Sequence, residues 1–435
     1  MTGPQSQARR VIVAGLIGTS LEWYDFFLYG TAATLVFNKL FFPTFDPLAG
    51  TFLAFATFAV GFVARPVGGI VFGHFGDRVG RKNILVVTLL LMGIATVLIG
   101  ALPGYASIGV AAPLLLVILR FLQGLGLGGE WGGAVLMSIE HGDARRRGFN
   151  ASWPQVGVPA GNLLAAAMLG LMSVTLPEEA FLSWGWRVPF LLSGALVIVG
   201  LWIRLRIAES PLFSAVEQAG AKARMPVLDV LRAHPRALLS AIGARIGVDV
   251  AFYTFALFIV QYVANVHGLP RSVGLNAVLI GSAVQLVLIP LFGALSDRYG
   301  RRPVYLAGTV AAGVWIFAFF PLLDTRSPLL ITVAAIVGLI THAAMYGPQA
   351  AFIAELFSTR LRYSGASMGY QIAGVLGGAL APSIALALLE ATGGTVAISL
   401  YVLAALVLTV AGLAIAPETR DVDLAAGAAP SAAKG

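Results

Sequence analysis

Glu22 and Asp25 are carboxylates three residues apart inside an apolar run of about 25 residues that begins at Val11. A run of that length spans a bilayer, where an acid is costly unless it faces protein or trapped water. At about 3.6 residues per turn, Glu22, Asp25 and Tyr29 share one helical face with Gly15 and Gly18. Two carboxylates one turn apart in a low dielectric resist both being charged, so the chemistry expected here is reversible proton binding. The competing expectation is a fixed ion pair with Arg65 or Arg120, in which neither acid changes protonation. Asp25 is the first choice as proton carrier, because Tyr29 lies one turn beyond it and is able to donate to it.

Arg65 and Arg120 are the natural anion clamps, since a guanidinium grips a carboxylate with two parallel hydrogen bonds. Either is equally suited to neutralising Glu22, Asp25 or Glu130. Gln123 and Trp131 lie near the Arg120 face and suggest a polar, aromatic wall. Further on, Arg245 and Asp249 are spaced to pair with each other on one helix, and Tyr253 and Gln261 continue that stripe. Substrate contact is therefore expected from Tyr29, Arg65, Arg120, Gln123, Trp131 and Tyr253. His342 reads better as a packed, hydrogen-bonded ring than as a proton relay. The in-span amides Gln155, Asn162, Gln285, Gln349 and Gln371 suit helix association or ligand binding equally.

The elements that hold these groups follow from composition. Hydrophobic residues make up 58% of the 435 residues and charged ones 11%, with a mean hydropathy of +0.88. A soluble domain carries about 25% charged residues, so most of this chain is expected in lipid. Apolar segments fall at 11–37, 51–73, 84–103, 109–137, 149–173, 187–207, 238–264, 274–295, 304–323, 328–354, 363–390 and 395–416. They read as twelve spans, the first being uncleaved because its run is too long and too acidic for a signal peptide. With the N-terminus inside, 21 of the 28 basic residues fall on the cytoplasmic side, four outside and three within spans. The net charge of +8 thus reads as membrane orientation, with both termini cytoplasmic, and not as nucleic-acid binding. The absence of cysteine excludes disulfides.

The organisation expected is a six-span bundle over 1–207, a cytoplasmic loop over 208–237 with short amphipathic helices, a second six-span bundle over 238–416, and a disordered tail over 417–435. An internal repeat marks the division. Gly73-His-Phe-Gly-Asp77-Arg78-Val-Gly80-Arg81-Lys82 follows span 2, and Gly293-Ala-Leu-Ser-Asp297-Arg298-Tyr-Gly300-Arg301-Arg302 follows span 8. The same loop in each half is the mark of a duplicated transporter. Asp77, Arg78 and Arg81, repeated as Asp297, Arg298 and Arg301, are expected to latch one access state. Asp77 would face a helix start or an arginine, and Arg81 a carboxylate ending span 4, either Glu140 or Asp143. The plainer reading is a glycine turn whose charges only set topology. Gly124-Leu-Gly126-Leu-Gly128-Gly129 fits a dinucleotide fingerprint and Gly365-Ala-Ser367-Met-Gly369 a nucleophile elbow, yet both sit within spans and lack the strand those motifs need. There is no phosphate-binding loop for direct ATP drive.

The paired loops resemble the cytoplasmic motif of the major facilitator superfamily. Leu21-Glu22-Trp23-Tyr24-Asp25-Phe26, Ala64-Arg65-Pro66-Val67-Gly68-Gly69, Arg120-Phe-Leu-Gln123-Gly124, Gly129-Glu130-Trp131-Gly132-Gly133 and Glu209-Ser210-Pro211 resemble its metabolite:proton symporter family. That resemblance implies an all-α membrane protein of twelve helices in two pseudo-symmetric six-helix bundles. It also implies alternating access and a cargo such as shikimate, 2-oxoglutarate, citrate, proline or glycine betaine. Osmosensing betaine carriers of the family end in a coiled coil, and this tail has no heptads. The expected function is proton-coupled import of a small carboxylate across the cell (inner) membrane by a monomer. It would be driven by the proton gradient with no cofactor, no metal and no covalent chemistry. A zwitterion symporter and a proton-driven exporter are the alternatives, with a membrane-embedded hydrolase or a sensor more remote.

Overall fold

The computed structural model describes residues 4–43, 47–220 and 223–424. Among these residues twelve helices are long and apolar enough to cross a membrane: Gln7–Ala32, Ala59–Val79, Arg81–Ala101, Ala111–His141, Ala144–Thr175 and Glu178–Leu205 in the first half, and Pro235–Asn265, Arg271–Tyr299, Arg301–Asp324, Pro328–Glu355, Arg362–Thr392 and Val396–Ile415 in the second. They are spans 1 to 12 below. Their outward faces carry large apolar side chains such as Ile94, Val174, Ile198, Leu239 and Val314, as lipid contact requires.

Span 1 packs on span 5 and span 2 on span 4; span 8 packs on span 10 and span 7 on span 12. The halves meet along two seams, span 5 against span 8 and span 11 against span 2. The glycine run of span 4 serves close packing. A Cβ on Gly124 or Gly128 would strike the carbonyl oxygens of Gly61 and Arg65 on span 2. The repeat reaches into backbone detail. Gly80 and Gly300 adopt φ of 117° and 102°, a region costly for any side chain, and each ends its loop where the next span begins. A π-helical turn widens the chain at Ala33–Phe37 and again at Thr254–Phe258.

Between the halves run two short helices, Pro211–Gln218 and Pro226–Ala233. Ser210 caps the first by accepting from the Phe213 amide at 3.1 Å, and Phe213, Val216 and Val230 face inward. The expected disordered tail needs correction over its first residues. Glu418 accepts the Arg301 and Arg302 amides at 2.8 and 3.0 Å, capping span 9, and Thr419 donates to Glu355 at 2.7 Å. The remainder, 425–435, lies outside the described residues.

Candidate functional site

Asp25 points into the first bundle and is 2% exposed. Its Oδ1 accepts from Ser193 of span 6 at 2.6 Å and its Oδ2 from Thr96 of span 3 at 2.9 Å. Among the described residues no cation stands within ion-pairing distance of it. Thr96 Oγ1 accepts from Gln123 Nε2 at 2.7 Å, and Gln123 Oε1 from Arg120 Nη1 at 3.2 Å. The acid is thus wired to the span 4 arginine through one hydroxyl and one amide. Two sequence expectations are corrected here. Asp25 pairs with neither Arg65 nor Arg120, and Tyr29 donates to Thr57 at 2.7 Å, away from Asp25.

Arg120 lies over the rings of Tyr29 and Phe26, its Cζ 4.3 and 4.5 Å from their centroids. Arg65 lies 5.9 Å from the same Phe26 ring and 5.4 Å from both Trp23 and Phe62. Two guanidiniums therefore share one aromatic wall, held by π-faces. Arg65 also donates to Gln371 of span 11 at 3.1 Å, and Gln371 Nε2 donates to the Gly128 carbonyl at 3.0 Å.

The second half supplies the facing wall. Half-buried Tyr253 meets Phe62 edge-on at 6.0 Å. Arg245 pairs with Asp249 at 2.9 Å, donates to Gln349 at 3.2 Å and stacks over Tyr370. A Cβ placed on Gly374 would lie 3.9 Å from Asp249 Oδ2 and 4.0 Å from Arg65 Nη2, so these charges converge across the seam. Trp131 stacks on Tyr370 at 3.6 Å and donates to Gln155 at 2.6 Å, so it closes the seam between the halves. His342 meets Gln285 at 2.8 Å and stacks on Tyr346.

Glu22 departs from its partner of Asp25. It lies 3.5 Å from Arg204, which also contacts Glu130 and the Leu85 carbonyl. Neither Arg204 nor Glu130 is among the site residues expected from the sequence. Arg204 ends an apolar run two residues before Arg206 and looks like a flanking charge, yet it is 2% exposed.

The ends of the halves that carry the repeat loops are joined by the same arrangement twice. Asp77 accepts from the Tyr363 and Ser364 amides, at 3.2 and 2.9 Å, at the start of span 11. Asp297 accepts from the Gly148 and Phe149 amides, at 2.7 and 2.9 Å, at the start of span 5. Each carboxylate thereby meets the positive end of a helix from the other half. Arg81 contacts Glu140, which also accepts from Arg362 at 2.9 Å. Arg301 holds Asp297 at 2.6 Å and Glu355 at 3.1 Å, and Arg147 reaches Glu355 at 3.3 Å. Of the two candidates ending span 4, Glu140 and not Asp143 meets Arg81; Asp143 caps its own turn by accepting from the Arg145 amide. Arg78 and Arg298 stay outside this network: Arg78 meets His74 at 3.4 Å, and Arg298 lies over its neighbour Tyr299. Glu355, Arg147 and Arg362 were missed, although their places follow from the repeat.

Residues 11–235 match the sugar (and other) transporter family and residues 248–433 the Major Facilitator Superfamily. The inner membrane metabolite transport protein YhjE of Escherichia coli is 43% identical over 97% of both chains. The shikimate transporter of the same organism is 44% identical over 92% of both. A proline/betaine transporter of Salmonella typhimurium is 35% identical over 88% of this chain and 78% of its own. Among solved structures, the proton:xylose symporter XylE bound to 6-bromo-6-deoxy-D-glucose has the same fold, with a TM-score of 0.75, 17% identity, and 95% and 97% of the two chains covered.

Proposed function

This chain belongs to the major facilitator superfamily and is a transporter of a small metabolite, and from that premise we propose that it imports an organic carboxylate together with protons across the inner membrane. The observation that carries this reading is the path Asp25–Thr96–Gln123–Arg120. It joins an acid with no cation at ion-pairing distance among the described residues to an arginine seated on aromatic faces. A substrate carboxylate suits Arg120 and Arg65, and a proton suits Asp25. Occupation of one end alters hydrogen bonding at the other, so loading of the two is coupled.

The excess of basic residues around the repeat loops supports a cytoplasmic location for that end and for both termini. The doubled carboxylate–helix and arginine–glutamate contacts then form the cytoplasmic gate, closed in this structure. Opening it breaks contacts in both seams at once, as rocking of two rigid bundles requires. A carboxylate cargo is favoured by the two guanidiniums on the aromatic wall and by the 44% identity to the shikimate transporter.

A thermal-shift screen of the purified protein against shikimate, di- and tricarboxylates, glycine betaine and xylose tests the substrate class. A ligand at a hundredfold its Kd stabilises the native state by about 2.7 kcal/mol. The expected result is a higher Tm with one or more carboxylates and none with xylose. A shift confined to glycine betaine would replace the anion reading with the zwitterion one.

A further inference from the structure

The cluster around Arg204 holds a second feature that the Asp25 path does not use. Glu22 of span 1 and Glu130 of span 4 share one guanidinium, and all three side chains are buried. The two carboxyls also face each other within hydrogen-bonding reach. Glu22 Oε2 is buried with no hydrogen-bond partner among the described residues. Among the described residues Glu130 has, besides Arg204, only a hydroxyl donor, Thr88 at 3.1 Å. With both acids ionised the trio carries one uncompensated negative charge, and two acceptors face each other with no donor between them. One proton removes both faults. The other ionisable group facing the pair is Tyr363 of span 11, which donates to the Gly129 carbonyl at 2.8 Å and is fully buried. Span 3 contributes Thr88 and the Leu85 carbonyl, and span 5 packs its Gly157 against Thr19, one turn before Glu22.

A void of about 10 Å³, near the size of one water, adjoins Glu130 and Arg204. Its other walls include Val11, Gly15, Met137 and Ile207, which lie toward the repeat-loop end of the bundle. On the side of the other half the cluster is covered by Tyr363, whose hydroxyl meets span 4 and whose backbone amide is held by Asp77 of the gate.

We propose that Glu22 and Glu130 bind one proton between them against the fixed charge of Arg204, and that it passes to the cytoplasm when span 11 withdraws. The inference rests on the symport reading above and adds a proton site to it. A monocarboxylate entering with two protons, one from Asp25 and one from this pair, carries net positive charge inward; the pair turns over only in carriers that Asp25 has loaded, so loss of Asp25 stops both. Accumulation of the cargo then responds to membrane potential as well as to the pH difference.

The test needs no substrate, so its outcome is separate from that of the symport reading. Infrared difference spectra of the purified protein, taken across a pH titration, report protonated carboxyl groups. Glu130→Gln and Glu22→Gln each leave one carboxylate with Arg204, a neutral pair with no proton to hold. Both variants are expected to lose the same protonated-carboxyl band, while the band assigned by Asp25→Asn remains. Asp77→Asn, which frees the start of span 11, is expected to speed hydrogen–deuterium exchange of the shared band several-fold. If one variant fails to fold, the other carries the same reading. A protonated-carboxyl band unchanged in Glu130→Gln or Glu22→Gln overturns the site, and exchange unaffected by Asp77→Asn overturns the cytoplasmic exit.

Discussion

Asp25→Asn is expected to abolish uphill accumulation while leaving exchange of labelled for unlabelled substrate measurable. In proteoliposomes each unit of pH difference is worth about 1.4 kcal/mol per proton, so one coupled proton concentrates the cargo about tenfold per unit. The variant should bring the internal and external concentrations to a ratio of about one. The reason lies in the partners of Asp25. As an amide, residue 25 still accepts from one of Ser193 and Thr96 through its carbonyl oxygen, and its NH2 donates to the other hydroxyl, which rotates to accept. No ion pair is broken, so the fold and the Arg120 end of the path persist and substrate still crosses downhill. Had Asp25 been locked to an arginine, the same substitution would strand a buried charge and unfold the bundle. Wild-type accumulation by Asp25→Asn removes this residue from coupling.

The second large effect is expected from Arg120→Lys. Lysine keeps the charge but loses the planar fork, and with it one of two parallel bonds to a carboxylate. A hydrogen bond to a charged group contributes about 1.5–3 kcal/mol. The affinity for an anionic cargo should therefore fall by about tenfold to a hundredfold, read as a raised Kd in titrations of purified protein. The ammonium also stacks less well on Tyr29 and Phe26 and no longer reaches Gln123 in the same geometry. A neutral analogue of the cargo should lose much less. Equal losses for charged and neutral ligands would make Arg120 a structural counter-charge.

The two predictions depend on partners that were not legible in the sequence. Helical periodicity places Glu22, Asp25 and Tyr29 on one face, but it does not say which neighbouring helix meets each turn of that face. Spans 3 and 6 supply Thr96, Ser193 and Arg204 to the acids, while Tyr29 turns to Thr57 of span 2's helix. In-span threonines and serines are common and carry no mark of their role. Arg204 was hidden by its place at the end of an apolar run, where basic residues usually reach for the headgroups.

What could be read was read from the repeat. Gly80 and Gly300, Asp77 and Asp297, and Arg81 and Arg301 occupy matching places because each half must make the same turn and grip the other half's helix start. The repeat extends to the acids at the ends of the spans. Glu355 closes span 10 as Glu140 closes span 4, and Glu418 follows span 12 as Glu209 follows span 6. Both Glu209 and Glu418 accept the first amides of the helix after a repeat loop. The start of the tail, expected to be disordered, is the second copy of a cap. Twelve spans were legible for a simpler reason: runs of about twenty apolar residues have few other uses.

The central claim is that proton and cargo cross together, and proton movement driven by cargo alone tests it most directly. Wild-type protein is reconstituted with a trapped pH indicator and equal pH on both sides, and an inward gradient of the carboxylate that raises Tm most is applied. The account predicts acidification of the interior that tracks substrate entry and vanishes in Asp25→Asn. Substrate entry with no change in internal pH would contradict it.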